Sequence, residues 1–234
     1  MGTLYIVATP IGNLEDITVR AAKLLTEIEI IACEDTRHSG MLLEHLRNTY
    51  LQNPMLAKKP RLISFYDDNE EKRIPEIIDL LKSGKHVALI SDAGTPGISD
   101  PGFTLVRACV KERIPVTSIP GASSVIVALT LSGLPTDKFT FLGYLPKKEG
   151  NATKLLENVK KSQELIKTTV ILFASPHRLV GDLELLKKIL GDREVVLCRE
   201  LTKIHEEVIR GTINTLLAKY ETKEPKGEYV MLFH

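Results

Sequence analysis

Tryptophan is absent from this chain of 234 residues, and cysteine is scarce, with three residues. Cys33, Cys109 and Cys198 lie far apart, in or beside apolar segments. That excludes a disulfide framework and the paired spacing of a zinc site, and it implies reduced thiols in a cytoplasmic protein. The six histidines form no metal motif, so no metal is expected. No apolar run approaches the roughly 18 residues of a membrane span. The N-terminus enters a strand pattern at once, without the regions of a signal peptide. Charge of neither sign dominates, with 31 Lys and Arg against 30 Asp and Glu. Any affinity for nucleic acid must therefore come from a local patch. Three signatures are missing as well. Without G-x-G-x-x-G, G-x-x-x-x-G-K-[ST] or G-x-S-x-G, a dinucleotide fingerprint, a P-loop nucleotidase and an α/β-type serine hydrolase are disfavoured.

The apolar fraction of 43% is enough for a sizeable core in one large domain or two small ones. Strand patterns at Thr3–Ala8, Ile28–Cys33, Leu62–Phe65, Val87–Ile90 and Val116–Ile119 alternate with helical patterns at Asp16–Ile28, His38–Arg47, Glu70–Ser83 and Phe103–Arg113. This alternation predicts an α/β fold with a mostly parallel sheet covered on both faces. Tyr50–Arg61 reads as an irregular, partly basic loop. After the short apolar helix Ala122–Ser132 the pattern restarts, which places a domain boundary near Ile119–Gly121: residues 1–119, then 120–234. In the second half, Val195–Arg199 and Glu206–Arg210 are too close for a crossover helix, so antiparallel pairing and a mixed sheet are expected.

The polar clusters follow the strands. Thr9–Asn13, Glu34–Arg37, Tyr66–Glu70, Ser91–Gly102, Pro120–Ser124 and Ser175–Arg178 each come after an apolar strand. Parallel strands put their carboxyl ends on one rim, where open α/β sheets bind ligands, so clusters of one domain converge there. Ser91–Gly102 is the longest. Gly94, Gly97 and Gly102 allow close approach to bare backbone, and Pro96 and Pro101 stiffen the loop. Asp100 is expected to cap the helix that follows, with Pro101 in its first turn.

Each cluster also has a plain reading. Glu34-Asp35-Thr36-Arg37 could orient a hydroxyl, with Arg37 on a phosphate, or could be an ion-paired loop in which Asp35 or Thr36 caps a helix. Asp67-Asp68-Asn69-Glu70 suits the acidic first turn of a helix. Arg178 stands at a helix start, where a cation is unfavourable unless an anion is near, and this favours a phosphate-binding role. Arg199-Glu200-Leu201-Thr202-Lys203 ends a strand with two cations, or is a solvated connection. The basic stretches Lys58-Lys59-Pro60-Arg61, Lys147-Lys148, Lys160-Lys161 and Lys187-Lys188 suit solvated surface or RNA, and Tyr50, Phe65, Tyr66 and Tyr144 could stack bases, although Phe65 better suits the core.

Ala8–Thr18, Glu34-Asp35-Thr36-Arg37 and Ser91–Gly102, in that order and spacing, resemble the tetrapyrrole-methylase superfamily. More narrowly they resemble its bacterial branch that methylates small-subunit (16S) ribosomal RNA on a cytidine ribose 2′-oxygen. The likeness continues through Pro120–Ser124, Ser132–Pro135, Ser175–Arg178, Arg199–Lys203 and Lys226–Glu228, nearly the whole chain. It implies two α/β domains, a homodimer, and S-adenosylmethionine in a cleft between the domains. Carried over, the cofactor site comprises Pro10, Gly12, Asp92, Ala93, Gly94, Thr95, Ser123, Ser124, Phe173, Lys226 and Gly227. The chain departs from the family at Tyr66 and Asp68, where His is usual, and at Ala174, where Glu is usual. It stops at His234, where many members carry a small basic helical extension.

The expected chemistry is in-line transfer of the sulfonium methyl to a ribose 2′-hydroxyl. A neutral hydroxyl is a poor nucleophile and needs alignment and a proton acceptor. Glu34 and Asp35 are the candidates for that acceptor, with Glu200 third; Arg37 and Arg178 would hold flanking phosphates and Asn69 would position the substrate. The partner is then ribosomal RNA, as the small subunit. Two alternatives stay open: C-methylation of a tetrapyrrole, and a non-catalytic cofactor- or RNA-binding protein.

Overall fold

The computed structural model describes residues 1–52 and 59–234. Part of the loop expected over Tyr50–Arg61, including Lys58, lies outside the described residues. The described chain divides into two compact units, Met1–Ser123 and Ser124–His234.

In the first unit, β1 (Leu4–Val7), β2 (Ile30–Cys33), β3 (Arg61–Ser64), β4 (Val87–Ile90) and β5 (Val116–Ile119) form a parallel sheet in the order β3-β2-β4-β1-β5. β2 and β4 are buried along their whole length, as strands covered on both faces must be. The helices α1 (Val19–Glu27) and α2 (Thr36–Tyr50) bury Ala21, Ala22, Leu25, Leu42, Leu43 and Leu46 against one face. The helices α3 (Glu70–Lys82) and α4 (Phe103–Lys111) bury Ile77, Ile78, Leu81, Leu105 and Cys109 against the other.

Two helix starts differ from expectation. The segment read as helix from Asp16 is divided: Asn13 caps a short 3-10 turn, Leu14–Asp16, and Thr18 then caps α1 with its hydroxyl on the Ala21 N–H. α2 begins at Thr36 because the Asp35 carboxylate accepts the Arg37 N–H at 2.7 Å.

The second unit opens with α5 (Ser124–Ser132). Its strands β6 (Phe139–Tyr144), β7 (Thr169–Ala174), β8 (Glu194–Arg199), β9 (Glu207–Thr212) and β10 (Tyr229–Phe233) form a sheet in the order β6-β7-β10-β8-β9. β6 and β7 are parallel; every other pairing is antiparallel, including the β8–β9 hairpin that its short connection requires. The helices α6 (Glu149–Leu165), α7 (Leu179–Leu190) and α8 (Ile213–Glu221) cover one face with Leu156, Leu183, Leu186 and Leu216. α5 packs against β8 and β10.

Candidate active site

The first unit gathers the sequence-predicted residues on one rim. Pro10 and Gly12 follow β1; Glu34, Asp35 and Arg37 follow β2; Asn69 follows β3; Asp92, Ala93, Gly94 and Thr95 follow β4; and Ser123 follows β5. β2 and β4 are neighbours, but β2 runs on to β3 on one side and β4 to β5 on the other. The chain leaves the two strands in opposite directions, and such a reversal is where open α/β sheets take ligands.

Hydrogen bonds weld the loops together. Thr9 and Gly94 exchange backbone bonds at 2.8 and 3.2 Å, and the buried Thr9 hydroxyl donates to the Ser91 carbonyl at 3.2 Å. Thr95 donates its hydroxyl to the Ala122 carbonyl at 3.2 Å. The Asp35 N–H donates to Asp92 Oδ1 at 3.2 Å, tying the loop after β2 to the loop after β4.

The electrostatics separate the acids. Burial, and then the charges of Asp100 and Asp92, raise the Glu34 carboxyl above the ordinary glutamate value of 4.5. Burial, offset by a hydrogen bond with Ser91, and then Asp92 and Asp67, likewise raise Asp100. Asp35 is lowered, first because its carboxylate accepts the Arg37 N–H. Glu34 is therefore the stronger proton acceptor, and Asp35 is spent on the α2 cap. The Arg37 side chain is 92% exposed. The Asn69 amide is occupied at both ends, accepting the Tyr66 N–H at 2.9 Å and donating to the Ser64 carbonyl at 3.1 Å. These bonds shape its own loop.

Glu70 was legible only as a first-turn acid. Its carboxylate accepts the Gly102 N–H at 3.1 Å and the Thr104 hydroxyl. It thus caps α4 from the neighbouring helix. Asp100 does not hold that cap: α4 starts after Gly102, which has no side chain to cap with.

In the second unit, Ser124 is the first residue of α5. The carboxyl ends of β7 and β8 and the start of β10 share one rim, since Tyr229 is registered against both Ala174 and Arg199. This brings together Phe173, Glu200, Lys226 and Gly227. Glu200 Oε1 accepts the Glu228 N–H at 2.9 Å and Lys203 Nζ at 3.1 Å. Burial opposes ionisation, but these donors outweigh it and hold the carboxyl below the usual range. Glu200 is thus an internal acceptor and a poor base, which corrects its place among the candidates. Gly227, at φ 90°, brings the backbone so close that a Cβ would lie 2.7 Å from the Glu200 side chain. Arg199 Nε donates to the Lys226 carbonyl at 2.6 Å.

Arg178 does have its anion, and the anion is internal. Its guanidinium donates to Asp182 at 3.1 Å, one helical turn on, and to the Leu145 and Pro146 carbonyls at 2.8 and 3.1 Å. The helix-start argument for a phosphate is corrected: the spacing of Arg178 and Asp182 already contained the counter-charge.

Among the described residues, no group of three or more His, Cys, Asp or Glu is arranged to hold a metal, and no helix is long and apolar enough to cross a membrane.

Residues 3–217 match the family model described as tetrapyrrole (corrin/porphyrin) methylases. A ribosomal RNA small subunit methyltransferase I from Thermotoga maritima is 46% identical over 232 residues, 99% of this chain and 98% of that one. Its namesake from Synechocystis is 45% identical over 99% of this chain and 78% of its own length. Among solved structures, a diphthine synthase aligns with a TM-score of 0.73 at 17% identity over 99% of this chain and 89% of that one. A uroporphyrin-III C-methyltransferase from Thermus thermophilus, complexed with S-adenosylhomocysteine, aligns at 0.65 and 16% identity over 99% and 97% of the two chains.

Proposed function

The chain belongs to the tetrapyrrole (corrin/porphyrin) methylase family, and we propose that it transfers a methyl group from S-adenosylmethionine to a cytidine ribose 2′-oxygen of 16S ribosomal RNA. It is an S-adenosylmethionine-dependent methyltransferase of small-subunit ribosomal RNA. The observation that carries this reading is the near-complete mutual overlap with the Thermotoga maritima relative of that name.

The rim fits the methyl donor. Glu34, Asp92 and Asp100 repel one another, and a ligand carrying a sulfonium and an ammonium relieves that repulsion. The loops of Pro10, Gly12, Asp92 to Thr95 and Ser123 would hold it. When bound, the donor would supply an electrophilic methyl on a cationic sulfonium, whose sulfur leaves as a neutral thioether.

Glu34 accepts the proton of the 2′-hydroxyl as the oxygen–carbon bond forms and the sulfur–carbon bond breaks. Its raised pKa makes it more basic than Asp35. Arg37, extended into solvent, holds a flanking phosphate. The chain acts in the cytoplasm, as a homodimer, on the assembled subunit.

The test is methyl incorporation from labelled S-adenosylmethionine into small ribosomal subunits lacking the modification, with free 16S RNA and uroporphyrinogen in parallel. Ribose methylation of a cytidine in the subunits is expected. Transfer to uroporphyrinogen alone, or binding of the donor with no transfer, would overturn the reading.

A further inference from the structure

The second sheet has one face under α6, α7 and α8, where Val170, Leu172 and Ala174 of β7 are buried. Alternation sends Thr169, Ile171 and Phe173 to the opposite face. β6, an edge strand, registers Phe139 with Thr169 and Phe141 with Ile171, so both phenylalanines share that opposite face. A bulge then intervenes, and Tyr144, not Gly143, stands against Phe173. Gly143 lies at φ 65°, the left-handed conformation that such an insertion uses. The inserted residue has one consequence for side chains. It turns Tyr144 away from the helices and onto the face of the phenylalanines.

The outcome is an aromatic surface. Phe173 meets Phe141 at 4.9 Å and Tyr144 at 5.4 Å between ring centroids, while Phe139 and Tyr144 remain 43% and 56% exposed. Lys147 and Lys148 follow at once, both exposed. Lys148 occupies the N-cap of α6, where a positive charge is unfavourable until an anion arrives. Among the described residues neither lysine has a carboxylate partner. A neighbouring hollow of about 380 Å³, lined by Lys147, Arg178 and Lys188 and by Glu149, Asp182 and Glu184, pairs Arg178 with Asp182 and Lys188 with Glu149. Arg178 also grips the Leu145 and Pro146 carbonyls, fixing the peptide between Tyr144 and Lys147.

We propose that Tyr144, backed by Phe141 and Phe173, is a stacking platform for an unpaired nucleobase of the RNA substrate, with Lys147 and Lys148 on the adjoining phosphates. Exposed rings interleaved with unmatched cations fit single-stranded nucleic acid, because every base has a face to stack and every nucleotide a phosphate. This rests on the reading of the chain as an RNA methyltransferase. Arg178 is then a positioning residue for the platform.

The experiment measures binding of a fluorescent single-stranded oligoribocytidine by the full chain across a salt series, alongside methyl transfer to small ribosomal subunits. Tyr144→Ala is expected to weaken oligonucleotide binding about ten-fold and to raise KM for subunits. Tyr144→Phe, which keeps the ring, binds within about two-fold of the parent. Replacing Lys147 and Lys148 by Ala reduces the slope of log affinity against log salt by about 0.7 per lysine. Binding by Tyr144→Ala equal to the parent, an unchanged salt slope, or loss of self-association in place of RNA binding would overturn the platform. So would a wild-type chain that methylates subunits yet ignores the single strand. A chain that binds the oligonucleotide through Tyr144 but methylates no ribosomal RNA would instead overturn the assigned reaction and leave the platform standing.

Discussion

The two rims handle charge in opposite ways. In the first unit, Glu34 and Asp100 sit among other carboxylates, and burial and repulsion push both upward. In the second, Glu200 is satisfied by Lys203 and a backbone N–H, Arg178 by Asp182, and Glu207 by Lys219 and Arg199. A rim that leaves its acids in mutual conflict is built for a ligand that resolves the conflict. A rim that neutralises itself holds shape. The difference separates acids pressed together by burial and like charge from acids of the same type whose partners are internal.

The sharpest way to break this comparison is to remove one acid from each rim. Glu34→Gln is expected to lower the rate of methyl transfer at saturating S-adenosylmethionine at least 100-fold, in the range of a lost general base. Glu200→Gln should keep most of the rate and cost about 1 kcal/mol in urea unfolding through its weakened bonds. The reverse ranking would invert the assignment.

Next in size is Arg178→Ala. It strips the counter-ion from Asp182, whose side chain is only 8% exposed and whose pKa burial already raises. A loss of about 2–3 kcal/mol is expected, below the figure for a fully buried pair because the guanidinium is partly solvated. Stability equal to the parent, with RNA affinity lost, would restore the phosphate role. Glu70→Ala should cost about 1–2 kcal/mol as a lost helix cap. It should also slow turnover, because the β3–α3 turn and the β4 loop are no longer tied; Glu70→Gln should recover part of both.

The smallest effect is on pH. Glu34 titrates higher folded than unfolded, so its charge weakens the fold as pH rises through mild acid, and Glu34→Gln should be slightly the more stable form at neutral pH. Glu200 titrates lower when folded, so its contribution is full above the unfolded value and is lost as pH falls. Unfolding midpoints of both variants should converge on the parent at low pH, from opposite sides. Parallel curves would show that neither carboxyl is tuned as described.

The fold and the rim were legible because each strand of the first unit ends in a polar cluster, and parallel strands must bring such ends together. The partners of the clusters were much less legible. Asp35 could be read as a cap because its partner is two residues away. The cap on α4 could not, because Glu70 reaches it from the neighbouring helix, far away in sequence, whereas Asp100 lies next to the helix start and does not hold it. Asp182 lay within reach of the helical period, and attention to i, i+4 spacing would have found it beside Arg178. An isolated glycine in a strand pattern, Gly143, is a hint of a bulge, but only the register of β6 on β7 shows where the extra residue falls.

The Glu70 cap has one further effect. In many doubly wound folds the helix after the central strand presents its bare N–H groups to a pyrophosphate, which settles there without any basic side chain. Here that end of α4 is already occupied by a carboxylate of the chain itself. The architecture that elsewhere recruits negatively charged nucleotides has had that attraction cancelled from within. What is left beside the crevice is a surplus of negative charge, so the same scaffold selects a donor that carries its positive charge at the reacting atom.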